Sequence, residues 1–274
     1  FLLLWAAAHA AYLLAVQRVT RTTATAAGAT PTGAMRSGGA AIVLAIGLLA
    51  RLCVLPAEPT LSEDVYRYLW DGRLVAEGVN PFPHAPADPA LVRFHGELAH
   101  RLNHAEVPTI YPPAAQLFFG AAARIAATPA AWKLVMLVLE LLLVLGLLDL
   151  LRRRGMASER LLLYYWNPLV IVESYGRGHV DVVAAAFLVL AIALYEARRA
   201  LPAGIAFALA ALTKLVPALL GPWLLRRRAW LLLAAAAATT AILFAPFWDA
   251  GSSLWTGLLT YARHWEFNSA LYRL

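Results

Sequence analysis

Charged residues and cysteine are both scarce in this chain. Only 14% of its 274 residues are charged, compared with roughly 25% in a typical soluble domain, while 61% are hydrophobic. The mean hydropathy is +0.66. This composition excludes an ordinary soluble domain and predicts an all-α polytopic membrane protein. The single Cys53 excludes an internal disulfide.

Two further absences narrow the class of protein. No basic stripe with interleaved aromatics stands apart from the apolar segments, so the net charge of +7 does not indicate a nucleic-acid partner. No charged region precedes Phe1, so we expect no cleavable signal peptide. Phe1 lies inside an apolar run and Leu274 stands where another segment could begin. We therefore expect a fragment, with one truncated transmembrane domain over 1–274.

Apolar segments alternate with short polar stretches along the whole chain. The apolar segments are 2–17, 39–56, 111–126, 130–151, 161–172, 180–195, 201–225 and 229–247. The arginines cluster between them, at 152–154, 198–199 and 226–228, which is typical of cytoplasmic loops.

A topology follows from placing these arginines inside. The polar stretches 57–110, 173–181 and 248–270 then meet on the outer face, the first as a large external loop and the last as a second external segment. Segments 161–172 and 180–195 form a hairpin. Stretch 112–151 makes one net crossing with one short half, 201–225 breaks near Lys214, and 18–38 is a flexible loop.

The first polar stretch carries adjacent acids, Glu63 and Asp64. Apolar residues recur at helical spacing over 62–79, and Ser62 is the expected N-cap. The pattern predicts an amphipathic helix lying on the membrane.

One face of this helix carries Asp64, Arg67, Tyr68 and Asp71, at positions i, i+3, i+4 and i+7. The face is either solvated and paired along the helix, or the acidic wall of a site at the membrane surface.

A second candidate stretch, 173–181, contains two glycines suited to a tight turn, followed by His179 and Asp181. Asp181 either caps the following helix or belongs to the site. Asp64, His179 and Asp181 are a conceivable metal set, but nothing in their spacing requires one.

Ionisable residues inside apolar segments are costly and often functional. Lys214 either meets a lipid phosphate or extends to the surface. Glu140 either pairs with a buried partner or lines the bundle. The aromatic tail is either an interfacial belt or part of the site.

The motifs occur in a recognisable order. They are Ser62-Glu-Asp-Val-Tyr-Arg-Tyr-Leu-Trp-Asp-Gly72, Asn80-Pro-Phe-Pro83, Tyr111-Pro-Pro113, Trp166-Asn-Pro168, Gly178-His-Val-Asp181, Leu212-Thr-Lys-Leu-Val-Pro217 and Tyr261-Ala-Arg-His-Trp-Glu-Phe-Asn268. In this order the chain resembles bacterial GT-C glycosyltransferases, especially the polyprenyl-phosphate-mannose-dependent mannosyltransferases that build lipomannan.

The resemblance implies a GT-C helix bundle at the cytoplasmic membrane, with its active site facing outside. It implies inverting sugar transfer from a polyprenyl-phosphate donor to a glycan or glycolipid acceptor. Glu63 and Asp64 match the family's acidic pair, with Asp64 as the general base, and Asp181 matches its second acid. No cofactor or metal is expected.

Other polar residues are candidates for supporting this chemistry. His179 and Asp71 are expected to support the site together with the second acid, Asp181. Candidates for binding donor phosphate or substrate are Arg67, Tyr68, Tyr111, Arg177, Lys214, Arg263 and His264. The alternative function is a transporter or flippase, which should show paired broken helices in symmetric halves, whereas only 201–225 looks broken.

Overall fold

Helices form every regular element in the computed structural model, which describes residues 2–26, 37–60 and 62–264. The α-helices are α1 (Leu2–Ala26), α2 (Ser37–Val54), α3 (Asp64–Ala76), α4 (Pro113–Ile125), α5 (Pro129–Arg153), α6 (Leu162–Tyr165), α7 (Pro168–Ile171), α8 (Asp181–Glu196), α9 (Ala200–Thr213), α10 (Gly221–Arg226), α11 (Trp230–Phe244) and α12 (Thr256–His264). Short 3₁₀ segments cover Pro89–Phe94, Ala99–Arg101, Ser158–Leu161, Val216–Leu220 and Ala245–Trp255, and a π-helical turn covers Val172–Gly176.

Two helical runs in the described ranges are long and apolar enough to cross a membrane, Pro129–Arg153 and Trp230–His264. Most residues in their apolar windows are not buried inside the protein. On α5 the exposed side chains Leu134, Val138, Leu141 and Leu145 recur every three or four residues and form one stripe. Because such a continuous apolar surface is unfavourable in water, the stripe suggests association with lipid.

The helices in stretches 112–151 and 201–225 are interrupted where the sequence predicts it. Stretch 112–151 divides into a 13-residue α4 and a 25-residue α5, so one half is short, as expected. Helix α9 ends at Thr213, and the next residue, Lys214, is extended with φ −149° and ψ 136°. The predicted break in 201–225 is therefore confirmed.

Two predictions about the apolar segments are wrong. Segment 161–172 is not a continuous span, because Asn167 is extended before Pro168 and separates the four-residue helices α6 and α7. The predicted loop 18–38 is helical through Ala26, since α1 continues past the basic residues, and helix α2 already begins at Ser37. Residues 27–36 lie outside the described ranges.

Helix α3 packs inside the protein on nearly all of its faces. Its residues Val65–Gly72 are buried without interruption between α4 and α5. Tyr68 stacks on Phe119 with ring centroids 4.7 Å apart. Gly72 allows the close approach of α4, because a Cβ there would lie 2.4 Å from the Phe119 carbonyl oxygen. The amphipathic prediction is wrong because the polar side chains of this helix find buried partners.

Candidate active site

Asp64 lies at the start of α3 beside a histidine from a distant turn. Its side chain is 44% exposed, and its Oδ2 lies 3.7 Å from Nε2 of His179. The same nitrogen is 3.0 Å from Oγ of Ser62, and Nδ1 of His179 is 2.9 Å from Oε2 of Glu173. His179 therefore lies between two carboxylates, within hydrogen-bond distance of Glu173 and in looser contact with Asp64. The predicted N-cap is displaced by one residue to Glu63, while Ser62 accepts a hydrogen bond from the Asp64 amide at 3.3 Å.

The turn that carries Glu173 and His179 is held tightly against the core. Gly178 has a φ of +82°, and a Cβ there would lie 2.9 Å from Val65 of α3. The indole of Trp132 donates to the Gly178 carbonyl at 2.8 Å. Glu173 was not predicted as a site residue. Its role depends on the π-helical turn, a rare local structure that is often found at functional sites.

A second carboxylate and a cation lie at the neighbouring helix ends. Asp181 begins α8, and its Oδ1 is 2.5 Å from Nζ of Lys214, at the break after α9. Both side chains are partly exposed. Arg177 is 3.0 Å from Glu173, and its buried Nε has no hydrogen-bond partner in the described part of the protein. Both cations are thus close to the acids.

Two buried tyrosines lie within the electrostatic influence of the acids. The hydroxyls of Tyr68 and Tyr111 lie 3.4 Å apart. Burial raises the pKa of Tyr68 well above its ordinary value, and the charges of Asp64 and Asp181 raise it further. Burial also raises the pKa of Tyr111, with a further contribution from Asp64. Both phenols therefore stay protonated at neutral pH.

Arg67 and Asp71 lie away from solvent in a hydrogen-bonded network. Asp71 is 1% exposed and accepts from Nε of Arg67 at 3.0 Å and from the Thr109 hydroxyl at 2.5 Å. Arg67 also donates to the Val107 carbonyl at 2.9 Å, and Gln116 donates to Asp71 at 3.2 Å. These hydrogen bonds hold residues 107–109, which lie near the end of the first polar stretch, against α3. The structure therefore places both side chains where they support the loop, and not on the open face beside Asp64.

The last candidates lie on α12. A Cβ on Gly257 would lie 2.2 Å from the Thr109 carbonyl oxygen, so this helix rests on the same loop. Arg263 and His264 are exposed near its end. Glu63 is exposed beside Asp64.

The polar stretch 57–110 therefore contacts both 173–181, through Asp64 and His179, and 248–270, through Thr109 and Gly257. Their position outside the membrane stays a prediction. Within the described ranges, no three His, Cys, Asp or Glu side chains form a group suited to a metal ion. The expectation that the enzyme needs no metal is not tested by this observation.

A buried ion pair lies directly behind the Glu173 turn. Arg51 and Glu140 are 0% and 1% exposed, with Nε and Oε2 2.6 Å apart. Glu140 also accepts from the Tyr164 hydroxyl at 2.6 Å and from the Tyr175 hydroxyl at 2.7 Å. Tyr175 belongs to the π-helical turn, between Glu173 and Arg177. The carboxylate thus connects α2 and α5 to the turn that positions His179.

Removing one hydroxyl should test whether this connection positions the site. We expect Tyr175→Phe to lower kcat by about 3–10-fold with little change in KM, since one lost hydrogen bond costs roughly 0.5–1.5 kcal/mol. Tyr164→Phe is the matched control, because it removes the other tyrosine hydroxyl bound to Glu140 without touching the turn. Equal kcat values in the two variants would contradict a positioning role. The measurement is steady-state transfer kinetics alongside thermal unfolding.

The structure is thus an all-helical, apolar protein with two helical runs that suggest association with a membrane and with partly exposed acids at its helix ends. Over residues 2–234 the chain matches the family described as "Alpha-(1->6)-mannopyranosyltransferase, N-terminal domain". It belongs to that family, so the expectation of a glycosyltransferase that moves mannose is confirmed at this level. Searches of curated proteins and of solved structures returned no match.

Proposed function

We propose that the protein transfers mannose from a polyprenyl-phosphate donor to a hydroxyl of a glycan or glycolipid. In this proposal the protein is a multi-pass GT-C-type bundle in the cytoplasmic membrane, and its site faces outward. The observation that carries the proposal is the cluster of Asp64, Glu173 and His179, which lies next to the Asp181–Lys214 pair at the ends of apolar helices. The family supplies the mannosyl specificity.

The reaction needs one base and one stabilised leaving group. Asp64 takes the proton of the acceptor hydroxyl while the acceptor oxygen attacks C1 of mannose from the face opposite the phosphate. The new C1–O bond forms as the C1–O bond to phosphate breaks, which inverts the anomeric centre. Polyprenyl phosphate leaves with the electron pair, and Asp64 releases the proton to water. His179 orients Asp64 and Glu173 orients His179.

Lys214 and Arg177 are the cations best placed to hold the donor phosphate. Lys214 is partly exposed and its ammonium group contacts one oxygen of Asp181, which leaves further N–H bonds of the same nitrogen for a ligand. Arg177 is also partly exposed and lies beside Glu173, so its guanidinium adds a second positive group at the turn. Positive groups at the departing phosphate stabilise the charge that develops in the transition state.

An apolar groove beside the cluster suits the lipid portion of the donor. It has a volume of about 530 Å³ and is lined by Trp5, Tyr12, Ile46, Val54, Trp166 and Val172, among others. Val172 immediately precedes Glu173, and Val54 lies 3.9 Å from the Cβ position of Gly176. The groove therefore continues to the turn that carries the acids, so a chain lying in it would present its phosphate there.

The arginine clusters support the proposed orientation. Helix α8 has Asp181 at its first residue and Arg198 and Arg199 just beyond its last. These ends are separated by roughly 24 Å, at 1.5 Å per residue for 16 residues. Because arginine-rich ends favour the cytoplasm, the acidic end is expected outside.

Sealed vesicles test both the chemistry and the side. Right-side-out vesicles containing labelled polyprenyl-phosphate-mannose should extend an impermeant mannose oligosaccharide that is added outside. Inside-out vesicles should not extend it until they are opened with detergent. Product in inside-out vesicles alone would contradict the orientation. Movement of labelled sugar across the membrane without a new glycosidic bond would favour the transporter alternative.

A further inference from the structure

A second cavity lies at the arginine-rich end of the helices, away from the acids. It has a volume of about 660 Å³ and is formed where α8, α10 and α11 come together. We call it the arginine pocket and define it by Tyr195, Arg198, Trp223, Arg227, Arg228 and Trp230. The proposed transfer reaction uses none of these residues.

Two of the arginines occupy an unusual backbone conformation. Arg198 has a φ of +61° and Arg228 a φ of +53°, and both stand just after a helix. Each helix end is closed by a bond from the next amide, from Arg199 to the Leu194 carbonyl and from Ala229 to the Leu224 carbonyl. Glycine is the residue that normally suits this left-handed position.

The role of terminating a helix does not by itself explain why arginine occupies these two left-handed positions. The described part of the chain has three non-glycine residues with positive φ, and two of them line this one pocket. Strained backbone of this kind tends to occur at functional sites. Because glycine would close both helix ends with less strain, we infer that the guanidinium groups themselves are required.

The pocket has an excess of positive charge. Its lining carboxylate, Glu196, is already paired with Arg154. Within the described ranges no carboxylate forms an ion pair with Arg198, Arg227 or Arg228, and all three are exposed. The Arg227 guanidinium lies 5.4 Å from the centre of the Trp223 ring. Such a surface favours an anion, and arginine forks match the oxygens of a phosphate.

The surroundings indicate what carries that anion. Leu231 lines the pocket, Leu201 and Leu225 lie close to it along the chain, and all three are exposed, as is Trp230. A ligand that satisfies both surfaces has a phosphate head and an apolar tail. Basic pockets with interfacial aromatics at the ends of membrane helices suit anionic lipid headgroups. We propose that the arginine pocket binds the phosphate-bearing headgroup of an anionic phospholipid. The inference depends on the proposed membrane location but not on the catalytic assignment.

The test measures lipid binding to the purified full chain, without donor or acceptor, so its result is independent of mannosyl transfer. In neutral detergent, adding cardiolipin should raise the Tm, whereas phosphatidylcholine and inorganic phosphate should not. Arg198→Gly/Arg228→Gly should be at least as stable in neutral detergent, because glycine suits both positions. The same variant should bind cardiolipin at least about tenfold more weakly, since each arginine contributes to headgroup attraction.

Arg199→Ala/Arg226→Ala is the matched control, because it removes the same charge from neighbouring positions outside the pocket lining. It should retain most of the cardiolipin affinity. Equal loss in both variants would assign the effect to general surface charge and overturn the proposal. An equal Tm rise with inorganic phosphate would indicate a site for free anions instead. A glycine variant that is less stable in neutral detergent would assign the arginines to the fold and also overturn it.

Discussion

Asparagine in place of Asp64 should reduce mannosyl transfer by about 10²–10⁴-fold, the usual contribution of a general base. Asparagine is nearly the same size but cannot take the acceptor proton. The fold should be retained, because the Asp64 side chain is partly exposed and its hydrogen bond to Ser62 uses the backbone amide. The loss should appear in kcat rather than KM, since the base acts in the transition state. Steady-state kinetics with labelled donor measure both values.

Asp88→Asn is the matched control for this experiment. Asp88 accepts from the Ala90 amide at 2.9 Å and lies 2.7 Å from His84, and these partners hold its pKa below the ordinary value. It caps a short 3₁₀ segment in the same polar stretch as Asp64. Its replacement should leave kcat within about twofold, as is usual for a surface substitution away from the site. A Tm unchanged from the unmodified protein together with full activity in Asp64→Asn would exclude Asp64 as the base.

Glutamine in place of Glu140 should destabilise the protein by about 3–5 kcal/mol, the usual cost of leaving one partner of a buried ion pair uncompensated. Arg51 is fully buried, so its charge would lose the carboxylate that neutralises it. Two of its four hydrogen bonds go to that carboxylate, and the other two go to the carbonyls of Gly47 and Tyr165. Thermal and denaturant unfolding in a fixed detergent measure the change.

The double variant Arg51→Met/Glu140→Gln separates the charge from the rest of the network. It removes both charges but keeps an amide that can bind the hydroxyls of Tyr164 and Tyr175. Because replacing a whole buried pair is often nearly neutral, we expect it to recover at least about half of the lost stability. A double variant that is as unstable as Glu140→Gln alone would show that packing or hydrogen bonding, and not the unpaired charge, dominates.

The parts of the fold that sequence patterns predicted are those set by local rules. The helical spacing of apolar residues over 62–79, with two acids at the start of that stretch, predicted α3. The residues around Lys214 and Pro217 indicated the end of α9. The hairpin segment 161–172 was mispredicted because its hydropathy outweighed the Asn167-Pro168 signal, although a proline in that position commonly interrupts a helix.

The candidate site was predicted only in part. Asp64 lies beside His179 and Asp181 pairs with Lys214, while the catalytic roles of these residues remain proposals. Glu173 was missed because a π-helical turn aims it at His179. Arg67 and Asp71 share a helical spacing with Asp64, yet spacing does not reveal that Thr109 and Gln116 cover them.

The sequence by itself determined that the chain is apolar, helical and punctuated by acids and arginines, because composition and periodicity act between near neighbours. Only the tertiary structure decided that Arg51 pairs with Glu140, 89 residues away, and that His179 meets Asp64 from across the fold. Whether a charge is neutralised in the interior or left available to a ligand depends on which distant residues surround it. That choice is made by packing and desolvation, which no local pattern encodes.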